Sequence, residues 1–79
     1  MSWNYRTLRR VHTTTAGDEI EYSVYEVYYD AHGNPTACSH DPVFPSGGTP
    51  EELQDDTKRY MAALQLPILD WHSFDAEDA

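Results

Sequence analysis

Residues 19–29 read Glu19-Ile20-Glu21-Tyr22-Ser23-Val24-Tyr25-Glu26-Val27-Tyr28-Tyr29, and their patterning decides the fold. Alternation over β-branched and aromatic residues makes this the strongest strand in the chain. In its first half Ile20, Tyr22 and Val24 project one way, while Glu19, Glu21 and Ser23 project the other. In its second half Tyr25, Val27 and Tyr29 take over the acidic side, so both faces become apolar. Two accounts fit. Either that end of the strand is covered on both sides, or a β-bulge near Tyr25 moves side chains across the sheet. Glu26 falls on the otherwise apolar face. It is expected to be ion-paired, with Arg6 or Arg9 across the first hairpin, or displaced by the same bulge.

Working outward, residues 3–12 are extended in character and carry Arg6, Arg9 and Arg10, three of the five basic residues. Residues 13–18 are rich in turn formers, with Ala16-Gly17-Asp18 the expected reversal. On the other side, residues 30–35 (DAHGNP) form a turn in which Gly33 and Asn34 tolerate positive φ. Residues 36–44 return as a weak third strand. Pro42 lacks the donor a central ladder needs, so that strand is short, at an edge, or ends near Asp41. After the loop Pro45-Ser46-Gly47-Gly48 comes a capping box: Thr49 as N-cap, Pro50 at the first helical position and Glu52 three residues after the Thr. Leu53, Tyr60, Met61 and Leu64, with Thr57 between, form a stripe expected to face the core. Pro67 ends the helix, and Ile68, Leu69 and Trp71 form an apolar tail that docks back. The expected fold is α+β: a three-stranded antiparallel sheet (β-β-β-α) with one helix packed on one face and a short docked C-terminal tail. Residues 1–72 form one small domain, and 73–79 an acidic, disordered tail.

A chain of 79 residues hides only about 60% of its unfolded surface, so the core is thin. One helix covers one sheet face, and Trp3, Tyr22, Tyr25, Tyr28 and Tyr29 exceed what it can bury. Docking of a partner, or dimerisation, through this excess is therefore expected. Fourteen acidic residues against five basic ones give a net charge of −9. That argues against direct nucleic-acid binding, where Lys and Arg must displace counterions, and against an anionic membrane surface. No apolar run reaches the ~20 residues of a spanning helix, and no signal-peptide core is visible. The single cysteine, Cys38, fits a reducing cytoplasm.

The blocks Trp3-Asn4-Tyr5-Arg6, Glu26-Val27-Tyr28-Tyr29-Asp30, Gly33-Asn34-Pro35, Asp41-Pro42-Val43, Glu51-Glu52-Leu53 and Pro67-Ile68-Leu69 resemble those of a group of short, uncharacterised bacterial proteins. The resemblance implies fold relatives and a bacterial or phage source, and carries no functional residues with it. The stretch Gly47-Gly48-Thr49-Pro50-Glu51-Glu52-Leu53 is similar to the helix-leading turn of HicB-type antitoxins. These cover a small basic ribonuclease with an acidic surface. The fuller members carry a DNA-binding domain after the helix. Only twelve residues follow Pro67 here, so that resemblance implies no DNA-bound autoregulation.

Chemistry finds little purchase in the sequence. Cys38-x-His40 with Asp41, Asp30-x-His32 and Asp70-x-His72 have ligand-like spacing, but no further pair completes a four-ligand set, so no metal or other cofactor is expected. Cys38 lacks a cationic neighbour or helix N-terminus to lower its thiol pKa and reads as a partly buried, inert residue. Glu19 with Glu21, and Glu51 with Asp55, share faces as solvated acids without a cleft to raise a pKa. The Ser46-Gly47-Gly48 turn lacks a phosphate-binding lysine and opens onto acids. The expectation is a cytoplasmic, non-enzymatic interaction module that docks on a basic protein. Glu51, Glu52, Asp55 and Asp56 would steer the encounter, and exposed tyrosines, Tyr25 and Tyr29, would anchor it. The alternatives are a nucleic-acid mimic, a homodimer, and, last, a small metal protein.

Overall fold

The computed structural model describes residues 2–76, with side chains through residue 74. The chain runs β1 (Ser2–Thr14), β2 (Gly17–Tyr29), β3 (Pro35–Cys38), α1 (Pro50–Ala62), a 3-10 turn (Ala63–Gln65), β4 (Leu69–Asp70), a second 3-10 turn (Trp71–Ser73) and β5 (Asp75–Ala76). The sheet order is β4-β1-β2-β3-β5. The α+β class with one helix holds. The sheet itself is mixed rather than three antiparallel strands, because β4 and β5 pair parallel with β1 and β3.

β1 and β2 form one long hairpin. The turn lies at residues 15–16, overlapping the expected reversal at Ala16, and Gly17 leaves it at φ 121°, a conformation a side chain would strain. Thr14 Oγ1 pins the turn by donating to Gly17 O at 2.7 Å and accepting from Ala16 N at 3.2 Å. Every position pairs in register from Ser2 opposite Tyr29 to Thr14 opposite Gly17. There is no bulge near Tyr25 in this ladder, so the double-sided apolar pattern has the other cause: both faces are covered.

One face carries Tyr5 and Val24, which pack with Ala63, Val43 and Tyr60. The other carries Leu8, Tyr25, Val27 and Cys38, covered by Tyr29, Leu69, Trp71 and Phe74. The partner that the second face requires is therefore the chain's own C-terminal segment. After β4 joins the β1 edge, residues 71–74 cross beneath the sheet and β5 joins the far edge. Pairing of Ala37 with Asp75 and Cys38 with Ala76 carries the fold past residue 72. Residues 77–79 of the expected acidic tail lie outside the described residues.

Of residues 36–44 only the start is strand: β3 is short, four residues, and ends before Pro42. Beyond it Ser39 N and Val43 N still donate to Glu26 O and Val24 O, at 2.9 Å each. The intervening residues, Pro42 among them, loop away from the ladder, which accommodates the missing donor. At the helix start Thr49 Oγ1 accepts from Glu52 N at 3.1 Å, and Glu52 Oε1 reaches back to Gly48 N at 2.9 Å. Gly47 lies so close to this first turn that a Cβ there would come within 2.5 Å of Leu53 N.

Candidate functional site

The helix acids divide into two pairs. Glu51 and Asp55 are exposed, one turn apart on the outer face. Glu52 is exposed but engaged at the cap. Asp56 is only 8% exposed and faces the sheet. Tyr5 Oη donates to its two carboxylate oxygens at 2.7 and 2.9 Å, Ser46 N donates at 2.9 Å, and Arg59 Nη2 lies at 3.4 Å. The Ser46 amide, then the Tyr5 hydroxyl and Arg59, hold the Asp56 carboxyl below its usual pKa. Burial, then the Asp56 hydrogen bond and charge, push Tyr5 up to about 12. Asp56 is thus a clasp between helix and sheet, and the expectation that it steers a partner is corrected.

The two tyrosines expected as exposed anchors are also placed differently. Tyr25 is fully buried, because the C-terminal segment covers its face. Tyr29 is half-buried, its hydroxyl donating to Asn4 Oδ1 at 2.7 Å and accepting from Arg6 Nη1 at 3.0 Å. Arg6 also donates to Pro67 O at 2.8 Å, on the face opposite Glu26. Among the described residues the expected Glu26 ion pair forms with neither Arg6 nor Arg9, nor is Glu26 displaced by a bulge. Its carboxylate accepts from Tyr28 Oη at 2.6 Å.

The exposed apolar residues lie elsewhere. The stripe Leu53, Met61 and Leu64, expected to face the core, is 43%, 60% and 58% exposed. Of that stripe only Tyr60 packs on the sheet, beside Asp56 and followed by Ala63, whose small side chain permits close approach. At the far end of the hairpin Ile20 and Tyr22 are 55% and 58% exposed. α1 covers this face only at its base, over Tyr5 and Val24.

The reverse face of the hairpin holds a polar network. His12 Nε2 lies 2.6 Å from Glu21 Oε1, and Ser23 Oγ and Tyr25 Oη donate to the same carboxylate. Burial raises the Glu21 pKa, but the Ser23 and His12 hydrogen bonds outweigh it and hold it below the usual value. Beside this network the Arg10 guanidinium sits 3.8 Å over the Trp71 ring and donates to His40 O at 2.9 Å.

The ligand-like spacings serve the backbone instead. Asp30 Oδ1 accepts from His32 N at 2.8 Å, and Asp70 Oδ1 from His72 N at 2.9 Å. Both Asp-x-His pairs are therefore Asx turns, a carboxylate bonding the backbone two residues on. Cys38 is fully buried at the last residue of β3, and His40 has left the strand to meet Trp71 edge-on at 6.1 Å. Among the described residues no three His, Cys, Asp or Glu side chains are grouped to hold a metal ion. A cleft of about 220 Å³ opens between the N-terminal part of β1 and the end of α1, lined by Trp3, Tyr5, Arg59, Ala63 and Leu66 among others. Ligand pockets run from about 300 Å³ upward. Among the described residues no helix is long and apolar enough to cross a membrane. Comparison with family models, curated proteins and solved structures returned no match.

Proposed function

We propose that this chain is a small, non-enzymatic interaction module that docks on a basic protein partner, in the manner of an antitoxin or inhibitor. The observation that carries the reading is apolar surface left open on a strongly acidic chain. Leu53 and Met61 on the helix, Leu64 in the 3-10 turn after it, and Ile20 and Tyr22 on the hairpin stand exposed in a molecule of net charge −9. Long-range charge steers encounter, and exposed apolar side chains hold what arrives. The chemistry of the carboxylates agrees. Glu21, Asp30 and Asp56 are all held below their ordinary values, away from the raised value a general acid needs. A reducing cytoplasm is the compartment that a single, buried cysteine fits.

The helix stripe also supports a second reading, a homodimer in which Leu53, Met61 and Leu64 meet their counterparts. Capture from a lysate of its own host, washed at low and then high salt, separates the two. The docking reading expects a dominant basic protein that high salt releases and that Glu51→Lys with Asp55→Lys weakens. No partner at low salt, together with a dimer by light scattering, overturns it.

A further inference from the structure

The distal half of the hairpin has an open edge. On its outer side β2 receives hydrogen bonds at Glu26 O and Val24 O, from Ser39 N and Val43 N. Strand backbone groups alternate sides with period two, so Tyr22 and Ile20 turn theirs outward in the same direction as Val24. Both stay in unbroken register with β1, opposite Arg9 and Val11. Among the described residues no hydrogen bond reaches these outward groups. The opposite edge is treated differently: the outward N–H of Val11 is capped by His72 Nε2 at 3.0 Å.

Side chains along the open edge complete a pattern. Ile20 and Tyr22 lie exposed on one face, with Asp18 next along it, while Glu19 and Glu21 project from the other. A strand laid here would meet apolar contacts on one face and carboxylates on the other. We infer that residues 18–22 of β2 bind an extended segment of a basic protein by strand addition, its apolar residues alternating with Lys or Arg. The inference rests on the acidic-docking reading above and gives its partner a form. Charge disfavours a second copy as occupant. Antiparallel self-pairing centred on Ile20 sets Glu19 against Glu21, and centred on Glu21 sets that carboxylate against itself; like charges directly opposite destabilise a ladder.

The probe is a blocked heptapeptide, Lys-Val-Lys-Val-Lys-Val-Lys, with a control in which Thr replaces every Lys. Binding is followed by anisotropy at low salt and by amide hydrogen exchange on the intact chain. Wild type is expected to bind the basic peptide and to slow exchange at Ile20 and Tyr22 by at least about tenfold, the equivalent of one hydrogen bond. Ile20→Pro removes an outward N–H while sparing those bonded to β1, and is expected to weaken binding by about tenfold with the melting temperature little changed. Should that variant unfold, Tyr22→Lys, which opposes the peptide's charge, is expected to weaken binding comparably. No binding, or binding without protection at Ile20 and Tyr22, overturns strand addition. If a basic partner is still captured from lysate, the wider docking reading survives that result. Equal protection by the Thr control overturns the basic character assigned to the occupant.

Discussion

The base and the arm of the β1–β2 hairpin belong to one uninterrupted ladder, yet they live in different solvents. At the base Tyr25, Val27 and Leu8 are fully buried between the sheet and the crossing C-terminal segment, while Tyr5 and Val24 lie under the helix end. Further along the same strand, Ile20 and Tyr22 are more than half exposed. Tyr22 and Tyr25 are the same residue type on opposite faces of one strand, and the difference between them is one of cover. In a small chain the covering segments are scarce, and the part of a strand they do not reach stays open to solvent.

The largest effect that would break this comparison is Tyr25→Ala set beside Tyr22→Ala. The first empties a fully buried site and is expected to cost about 3–5 kcal/mol in denaturant melts. The second removes a ring from the surface and is expected to change stability by less than about 0.5 kcal/mol. Equal costs would show that the arm is packed in solution and not open.

Next in size is Tyr5→Phe, which keeps the ring beneath the helix and deletes the donor to Asp56. A loss of about 1–2 kcal/mol is expected. pH sharpens the test. Folded Tyr5 holds its proton up to about 12 against an ordinary 10.0. Its contribution is complete below pH 10 and is lost as pH rises toward 12. Burial raises Tyr25 as well, so the variant should shallow the alkaline fall in melting temperature without abolishing it. On the acid side the signs reverse. Glu21, Asp30 and Asp56 are depressed below ordinary values of 4.5, 3.8 and 3.8, so their contributions stand above those values and are lost as pH drops through the lower folded ones.

A further, modest effect is a gain. Thr7 Oγ1 is buried at the base with no hydrogen-bond partner among the described residues. Thr7→Val keeps the shape and removes the unmet hydroxyl, and should raise stability by about 0.5–1 kcal/mol. A loss instead would mean that the hydroxyl has a partner in solution.

What the sequence made legible was local. The start of α1 follows from Thr49, Pro50 and Glu52, all within one turn, and β2 follows from its own alternation. The face of α1 did not follow, because the deciding contact joins Asp56 to Tyr5, 51 residues away. A carboxylate amid charged neighbours reads as solvated, so periodicity centred the buried face on Leu53, Met61 and Leu64 and caught only Tyr60, at its margin. Tyr25 was legible as half of an alternative. Choosing between a bulge and a second cover required Trp71 and Phe74, which approach from the far end of the chain. The open edge of β2 was legible in neither form, since an edge is defined by what does not pair with it.

The crossing segment also sets an order on the ribosome. β1, β2, β3 and α1 all emerge before residues 69–76, yet Tyr25 and Val27 have no cover on their face until those residues arrive. Until those residues join it, the rest of the fold carries one bare aromatic face. Apolar surface exposed in passing promotes aggregation, so how fast the crossing docks bears on how much chain reaches the native state.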